Sequence, residues 1–353
     1  MFNRAALAAV LLAAFVFASC AGKTPQGQSE FVLGTLCRLR IAQSGKTGAY
    51  RDVFSRLREI DDTFSVNKPD SDIGRINRAA GIEPVHVGDD VITVLSRALF
   101  FAEISDGGFD PTIGPLVKLW GIGTDEERIP SSDEIARALS LVNWRDVKID
   151  KGRGTVFLER QGMALDLGGI AKGYAADEAV NILRKHRVKS ALIDFGGNIA
   201  AYGAKAPAKP FEPPPPWKIG VQNPRKERGE YLGVVEIRDG TLVTSGDYER
   251  FFEEDGVRYH HILSTKTGYP VENDIVSVTI IQNLRGYDAQ NEYKTASMDA
   301  DALSTTLFTM GYDDASTFIS QFPGIYAIFA LKNGEIRAAM RKGFVLDLNV
   351  VRE

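Results

Sequence analysis

Strand-like apolar runs and amphipathic helical segments follow one another along this chain without a fixed alternation. Strand character occurs singly, as at Thr155–Glu159, and in close succession, as at Tyr326–Leu331 and Ile336–Met340. Helical spacing of apolar residues occurs at Tyr50–Phe64 and Ile170–Lys185. Strict alternation would predict a doubly wound parallel sheet, whereas this mixture predicts an α+β fold of mixed sheets packed with helices.

The composition is that of a globular protein with an ordinary core. The 353 residues are 44% hydrophobic and 25% charged, which excludes a disordered or fibrous chain. The formal net charge is −4, so nucleic acid is not an expected partner.

The N-terminal segment is typical of an exported bacterial protein. The apolar run Ala5–Ala18 is short for a membrane span, which takes about 20 residues, and suits an export signal. Small residues before Cys20 resemble a lipobox, which predicts a lipoprotein signal peptide over 1–20 and a lipidated (palmitate-bearing) Cys20. A plain signal peptide cut near Ala18 is the alternative. We expect anchorage to the inner membrane on its periplasmic side. Because Cys20 would carry the lipid, Cys37 would be the single thiol of the mature protein.

The rest of the chain predicts one catalytic unit behind a short linker. Residues 21–30 are polar, with Gly, Pro and Gln, and predict a flexible tether. Residues 31–353 contain no internal repeat. The proline-rich stretch 205–217 can form neither regular helix nor a central strand. We interpret this stretch as an exposed loop inside the domain, with an interdomain linker as the alternative.

A glycine-rich turn around Gly168 and Gly169 precedes a predicted helix, and Lys172 lies in its first turn. Free backbone N–H groups at a helix start, together with a lysine, suit a phosphate group. The spacing is not that of a Walker loop. A strand-to-helix turn without any ligand is the alternative interpretation of this segment.

Asp301 and Thr305 are four residues apart in a predicted helix and therefore share a face. A carboxylate and a hydroxyl are hard oxygen ligands, and together they suit Mg²⁺ bound with substrate phosphate. The alternative is that the aspartate caps the helix and the hydroxyl bonds back to a carbonyl.

Two further segments carry polar residues that suit a binding site. The glycine- and proline-rich segment 108–121 contains Asp110 and Thr112, and either a ligand contact or a tight turn would explain it. His260 and His261 are adjacent on a predicted strand, so their side chains point to opposite faces and do not share one metal. One of them is a candidate for acid–base chemistry while the other packs.

Taken together and in order, these stretches resemble the ApbE family of FAD:protein FMN transferases. The matching stretches are 108–121, 166–174, 194–198, 244–250, 260–263 and 301–305, spread over nearly all of the mature chain. The resemblance implies an ApbE-like (T-fold-like) unit that cleaves FAD to AMP. It also implies that FMN is attached by a phosphoester to a Thr or Ser of an acceptor, typically a subunit of a respiratory electron-transfer complex.

The resemblance also assigns roles to individual residues. It implies a catalytic group of His261, Asp301 and Lys172, and a Mg²⁺ site made by the Gly169 carbonyl, Asp301 and Thr305. The residues implied to contact FAD are Leu33, Asn67, Phe109, Asp110, Thr112, Asp166, Lys172, Ser245, Ile262 and Leu263.

One position departs from the family pattern and leaves two other activities open. Many relatives carry an aromatic residue where this chain has Asn67, and an asparagine cannot stack on the cofactor as an aromatic ring does. An FAD pyrophosphatase that releases FMN and AMP to water is therefore one alternative. A flavin-binding lipoprotein without catalysis is the other, and Asp301, Thr305 and His261 argue against it.

Overall fold

The structure, a computed structural model, describes residues 27–205, 207, 211–283 and 296–340, and 349–351 as backbone only. The predicted signal peptide, Cys20 and residues 21–26 of the predicted tether lie outside this part. Strands and helices are numbered in chain order, β1–β16 and α1–α8. None of the helices in the described ranges has both the length and the apolarity needed to cross a bilayer.

An antiparallel sheet of eight strands forms the centre of the fold. Its strands in spatial order are β1 (Gln28–Val32), β2 (Thr35–Ile41), β6 (Ala191–Phe195), β7 (Asn198–Tyr202), β10 (Gly240–Gly246), β13 (Ile275–Asn283), β14 (Ile325–Leu331) and β15 (Ile336–Met340). Three smaller sheets accompany it. One has the strand order β16 (Asn349–Val351), β9 (Tyr231–Ile237) and β8 (Trp217–Gln222), and another has the order β3 (Val85–His86), β5 (Thr155–Leu158) and β4 (Val147–Asp150). The third is a hairpin of β11 (Phe251–Glu254) and β12 (Val257–His260).

The helices lie mainly on one face of the large sheet. They are α1 (Thr47–Phe64), α2 (Asp72–Arg78), α3 (Asp89–Ile104), α4 (Gly114–Trp120), α5 (Ser132–Leu139), α6 (Ala171–Lys185), α7 (Ala296–Met310) and α8 (Tyr312–Ile319). Successive side chains of a strand point to opposite faces. Val243 and Ile280 accordingly join the helix-side core, while Leu242 and Ile281 pack against β8 and β9 on the other face.

The architecture confirms the predicted α+β class and corrects several boundaries. The strand predicted from Phe31 to Ile41 is a hairpin, β1–β2, that turns at Leu33 and Gly34. Its first strand begins at Gln28, so residues 28–30 belong to the sheet and not to the predicted tether. Backbone pairing with β2 orders them despite their polar sequence. The described residues of the proline-rich stretch are exposed up to Pro215, and β8 begins at Trp217.

Candidate active site

One end of the large sheet gathers the polar motifs. The β6–β7 turn, the end of β10 and the beginning of β13 all lie there, because these strands are antiparallel neighbours. Asn198 opens β7 and pairs with Val243, two residues before Ser245. The helices α6 and α7 pack on each other above this end of the sheet.

Helix α6 begins in the glycine-rich turn and approaches α7 very closely. A Cβ atom added to Gly173 would lie 2.2 Å from the carbonyl oxygen of Ser297 and 2.7 Å from the Met298 Cα. Only glycine fits this approach. One turn further along α6, the buried Asp177 carboxylate accepts hydrogen bonds from the backbone N–H groups of Ser297 and Met298 on α7, at 2.9 Å each. This packing brings the first turn of α6 against the middle of α7.

Asp301 is the buried anion of the site, with 3% of its surface exposed. Its Oδ2 accepts a hydrogen bond from the Gly173 N–H at 2.9 Å, and its Oδ1 accepts one from Asn198 Nδ2 at 3.2 Å. Lys172 Nζ lies 4.0 Å from the same Oδ1. A carboxylate has about four acceptor positions, so these contacts leave room for a further ligand.

Thr305 faces the same glycine-rich turn from one helical turn further along α7. A Cβ on Gly169 would lie 3.3 Å from Thr305 Oγ1 and 3.1 Å from the Phe109 ring. Ser245 Oγ lies 3.4 Å from Thr305 Oγ1 and 2.7 Å from Ser304 Oγ. The predicted pair of carboxylate and hydroxyl therefore sits on one helix face, opposite the turn predicted to hold phosphate.

The donor chemistry here fits a hard divalent cation. A carboxylate, a hydroxyl and the nearby Gly169 backbone are the oxygen ligands that Mg²⁺ combines with water and substrate phosphate. The buried Asn198 Oδ1 has no hydrogen-bond partner among the described residues, so the site holds an oxygen with unused capacity. In the described ranges, no group of three or more His, Cys, Asp or Glu side chains is arranged to hold a metal ion. Neutral oxygens would therefore complete the coordination.

The turn before α6 also fixes Lys172 and Asp166. Lys172 Nζ donates to the Gly168 carbonyl at 3.0 Å, which bends the side chain back over the turn. Asp166 Oδ1 accepts from the Gly168 N–H at 2.7 Å. The ammonium group therefore lies between the glycine turn and Asp301, where a phosphate group would meet it.

Asp110 and Thr112, both predicted to contact FAD, are turned into the protein. Asp110 Oδ1 accepts from the Thr112 N–H and hydroxyl, at 2.8 and 2.7 Å, and Oδ2 accepts from the Trp144 N–H at 3.0 Å. Thr112 Oγ1 accepts from the Asn143 N–H at 2.8 Å. Burial raises the pKa of Asp110, while these hydrogen bonds oppose the shift. Both side chains tie the turn to the segment at 143–144, so only Phe109, beside Gly169, reaches the site.

The two histidines have different hydrogen-bond partners, and only His260 lies within a strand. Ring atom Nδ1 of His260 accepts from the Ile262 N–H at 3.3 Å, so Nε2 carries the hydrogen and donates to the Val271 carbonyl at 3.0 Å. Burial lowers the pKa of His260. His260 is therefore a neutral packing residue.

His261 follows β12 and turns the other way. Its Nδ1 lies 3.2 Å from the Arg250 carbonyl oxygen. A carbonyl can only accept, so Nδ1 carries the hydrogen and Nε2 keeps a free lone pair. Burial, followed by the charge of Arg250, lowers the pKa of His261 to about 3, and Lys172 contributes in the same direction. The ring is a neutral base at physiological pH.

The remaining residues predicted to contact FAD differ in solvent exposure. Leu33 is half-buried and holds a left-handed φ of 57°, a strained conformation that is common at functional sites. Asn67 is exposed on the loop after α1. The side chains of Ile262 and Leu263 are buried, and the Ile262 N–H and C=O already bond to His260 and Val271.

Sequence reasoning overlooked two residues that complete the site. Asn198, in the motif after β6, contacts Asp301, and Ser304 bonds to Ser245. The signal for Asn198 was a polar residue directly after two glycines at the end of an apolar strand. No sequence signal distinguishes Ser304 from an ordinary helical serine.

Comparison with known sequences agrees with this geometry. The ApbE family matches residues 33–329. An FAD:protein FMN transferase of Treponema pallidum (strain Nichols) is 39% identical over 356 residues, which cover 95% of this chain and 94% of that protein. An FAD:protein FMN transferase of Klebsiella pneumoniae (strain 342) is 36% identical, covering 87% of this chain and 90% of its own length.

Comparison with solved structures agrees with the fold. The crystal structure of the ApbE protein of Thermotoga maritima has a TM-score of 0.78 at 33% identity, covering 89% of this chain and 96% of that one. The apo form of the flavinyl transferase ApbE of Pseudomonas stutzeri has a TM-score of 0.74 at 28% identity, covering 89% and 94%. The predicted ApbE-like architecture is therefore confirmed.

Proposed function

The chain belongs to the ApbE family, and on that premise we propose that it is an FAD:protein FMN transferase working at the cluster around Asp301. A hydroxyl oxygen of the acceptor protein bonds to the phosphorus of the FMN half of FAD. The bond from that phosphorus to the bridging oxygen breaks, and AMP leaves with this oxygen. FMN remains on a Thr or Ser of the acceptor as a phosphoester, and the hydroxyl proton passes to a base.

One observation carries the proposal: Asp301 and Thr305 face the glycine-rich start of α6. Asp301 accepts from the Gly173 N–H at 2.9 Å, and Thr305 Oγ1 lies 3.3 Å from where a Gly169 Cβ would be. A diphosphate lying on this turn would meet backbone N–H groups and Lys172 on one side and α7 on the other.

We propose that Asp301, Thr305 and the Gly169 carbonyl hold Mg²⁺. When bound, the ion neutralises charge on the diphosphate oxygens. The support is the donor set itself and the unused buried oxygen of Asn198. Asn198 and the Gly173 N–H orient the Asp301 carboxylate, so its remaining acceptor positions point in a fixed direction.

Lys172 and His261 supply the charge and the base in this proposal. The Lys172 ammonium is held over the turn by the Gly168 carbonyl, where it stabilises negative charge that builds during attack. His261 is neutral and presents Nε2, which takes the proton of the acceptor hydroxyl. A pKa near 3 makes a weak base, and an anionic diphosphate beside the ring raises that pKa towards the working range.

Water is the second candidate acceptor, which would make the enzyme an FAD pyrophosphatase as well. The exposed Asn67 favours it, because no aromatic ring at this position covers the bound cofactor. The reacting groups are the same, and only the nucleophile differs.

Location and partner are proposals that rest on the sequence and the family. We propose that Cys20 carries lipid, that the protein is anchored to the inner membrane on its periplasmic side, and that the acceptor is a subunit of a respiratory electron-transfer complex. Mass spectrometry of the mature N-terminus tests the anchor. A chain that begins elsewhere without lipid would refute it.

A reconstitution with FAD tests the proposed reaction. We expect the enzyme without its first 20 residues to release AMP from FAD when Mg²⁺ is added, and to add the mass of FMN to a Thr-bearing peptide. Asp301→Ala should lose about 10²–10³-fold in rate, the usual scale for one such electrostatic group. AMP release at the wild-type rate in Asp301→Ala would remove the metal assignment.

A further inference from the structure

A second cleft opens at the same end of the large sheet, beside the proposed active site. Its volume is about 500 Å³, within the usual range for ligand sites. The hairpin β11–β12, the segment at 269–275 and the turn after β14 enclose it. The charged residues and the histidine of its lining are Arg225, Asp247, Arg258, His260, Glu272 and Lys332.

Two separate chain segments pass directly from the active site into this cleft. Ser245 contacts Thr305 in the active site, and Asp247 lines the cleft two residues later. The charge of Lys172 in the active site acts on His261, and His260 lines the cleft one residue earlier. Neighbouring Cα atoms are about 3.8 Å apart. A bound polypeptide could therefore occupy both places with residues close together in its sequence.

The floor of the cleft holds a carboxylate oxygen without a hydrogen bond. Asp247 is 7% exposed, and its Oδ1 has no hydrogen-bond partner among the described residues. The nearest cation, Arg258 Nη1, lies 3.9 Å away, beyond hydrogen-bond distance, and Arg258 also pairs with Glu253. A buried acceptor of this kind calls for a donor such as the N–H group of a peptide.

The lining of the cleft carries more positive than negative charge, although the charges of Arg225 and Lys332 already act on Asp247. Arg225 and Lys332 are exposed there, and neither side chain has a hydrogen bond or ion pair within the described ranges. Asp247 and the exposed Glu272 are the two carboxylates of the lining, against the three cations Arg225, Arg258 and Lys332. A ligand that brings both a carboxylate and N–H groups matches this arrangement.

We propose that this cleft docks an acidic side chain of the acceptor polypeptide, close to the hydroxyl that receives FMN. This inference rests on the proposed transferase function. The acidic side chain pairs with Arg225 and Lys332 at the mouth, and a neighbouring backbone N–H donates to Asp247 Oδ1. A nucleotide phosphate fits the cleft less well, because the floor already presents a carboxylate and a neutral histidine.

Peptide binding tests this assignment without requiring turnover. The probes are fluorescent decapeptides with one Thr and a Glu moved through the flanking positions, each matched to a Gln peptide. Fluorescence anisotropy with the FAD-loaded enzyme should show at least one Glu peptide binding about tenfold more tightly than its Gln match. The double variant Arg225→Ala/Lys332→Ala should lose that preference.

The control is Lys151→Ala/Arg153→Ala, which removes the same charge in the exposed turn between β4 and β5. It should keep the preference. FAD binding and AMP release should stay at wild-type levels in both double variants. Equal binding of Glu and Gln peptides, or a preference that survives Arg225→Ala/Lys332→Ala, overturns the inference. Loss of FAD binding in that variant also overturns it and makes the cleft a cofactor site. Failure of the wild type to release AMP would instead contradict the proposed function.

Discussion

Asn198 shows how a single amide can organise a carboxylate. It opens β7 after two glycines, where local sequence suggests only a turn. In the fold its Nδ2 bonds to Asp301, while its Oδ1 remains buried without a partner among the described residues. An amide whose nitrogen donates to Asp301 and whose oxygen can still accept a hydrogen bond is suited to positioning that carboxylate beside a ligand.

We predict that Asn198→Ala lowers the rate of AMP release by about tenfold and weakens Mg²⁺ dependence, because Asp301 loses the donor that orients it. The control is Asn181→Ala, whose side-chain amide on α6 donates to Glu178 at 3.2 Å. Steady-state assays over a Mg²⁺ series measure both effects. Equal kinetics for the two variants would show that Asn198 only packs.

His261 should remain neutral in the ligand-free enzyme. Its folded pKa of about 3 lies below the ordinary value of about 6.5, so acidification from pH 8 to pH 5 protonates the unfolded chain but not the folded ring. NMR of the ring carbons should show no titration of His261 in that range. Titration with a midpoint near pH 6.5 would contradict the burial of this ring.

At the scale of elements, the junction of α6 with α7 determines the site. The sequence predicts both helices, the second from Ala300 to Met310, and in the structure α7 begins four residues earlier, at Ala296. The missing signal was Asp177, which lies 119 residues before Ala296 yet bonds to the first turn of α7. Strands β7 and β10 were also overlooked. β7 is short and rich in alanine, and β10 contains glycine, threonine and serine, so neither has the apolar pattern of a central strand.

Gly173→Ala tests this junction. The added Cβ would lie 2.2 Å from the Ser297 carbonyl oxygen, so the helices must separate, and overpacking of this kind costs about 1–3 kcal/mol or more. Denaturant unfolding should show the loss together with weaker FAD binding. Gly152→Ala is the control, since its Cβ would meet only Asp150 Oδ1 at 3.4 Å. Wild-type stability of Gly173→Ala would mean that the helices are further apart than described.

At the scale of the whole molecule, the antiparallel sheet explains why motifs so distant in sequence meet. The β6–β7 turn, the end of β10 and the start of β13 meet at one end of the sheet. The sequence indicated the residues of α6 and α7 that lie there, Gly169, Lys172, Asp301 and Thr305. The direction in which the side chain of a turn residue points could not be predicted from the sequence. Asp110 looked like a ligand contact, and long-range bonding to Trp144 turned it inward.

The folded unit begins with β1, and truncation at its N-terminus tests how much this strand contributes to stability. A chain that begins at residue 27 should unfold with the stability of the mature protein, because the first strand begins at Gln28. A chain that begins at Leu33 loses β1, its pairing with β2 and the ion pair from Glu30 to Arg58 on α1. Its free energy of unfolding should be lower in urea titrations. Equal stability of the two chains would show that β1 adds nothing to the sheet.

In the proposed reaction, Asp301 and Thr305 together bind a divalent ion against the diphosphate of FAD. Electron paramagnetic resonance with Mn²⁺ in place of Mg²⁺ measures this directly in the presence of FAD. We predict that Asp301→Asn and Thr305→Val weaken Mn²⁺ binding strongly. Thr309→Val, one turn further on α7 with its hydroxyl bonded to the Thr306 carbonyl, should bind as the wild type does. Wild-type Mn²⁺ affinity in both Asp301→Asn and Thr305→Val would contradict the account.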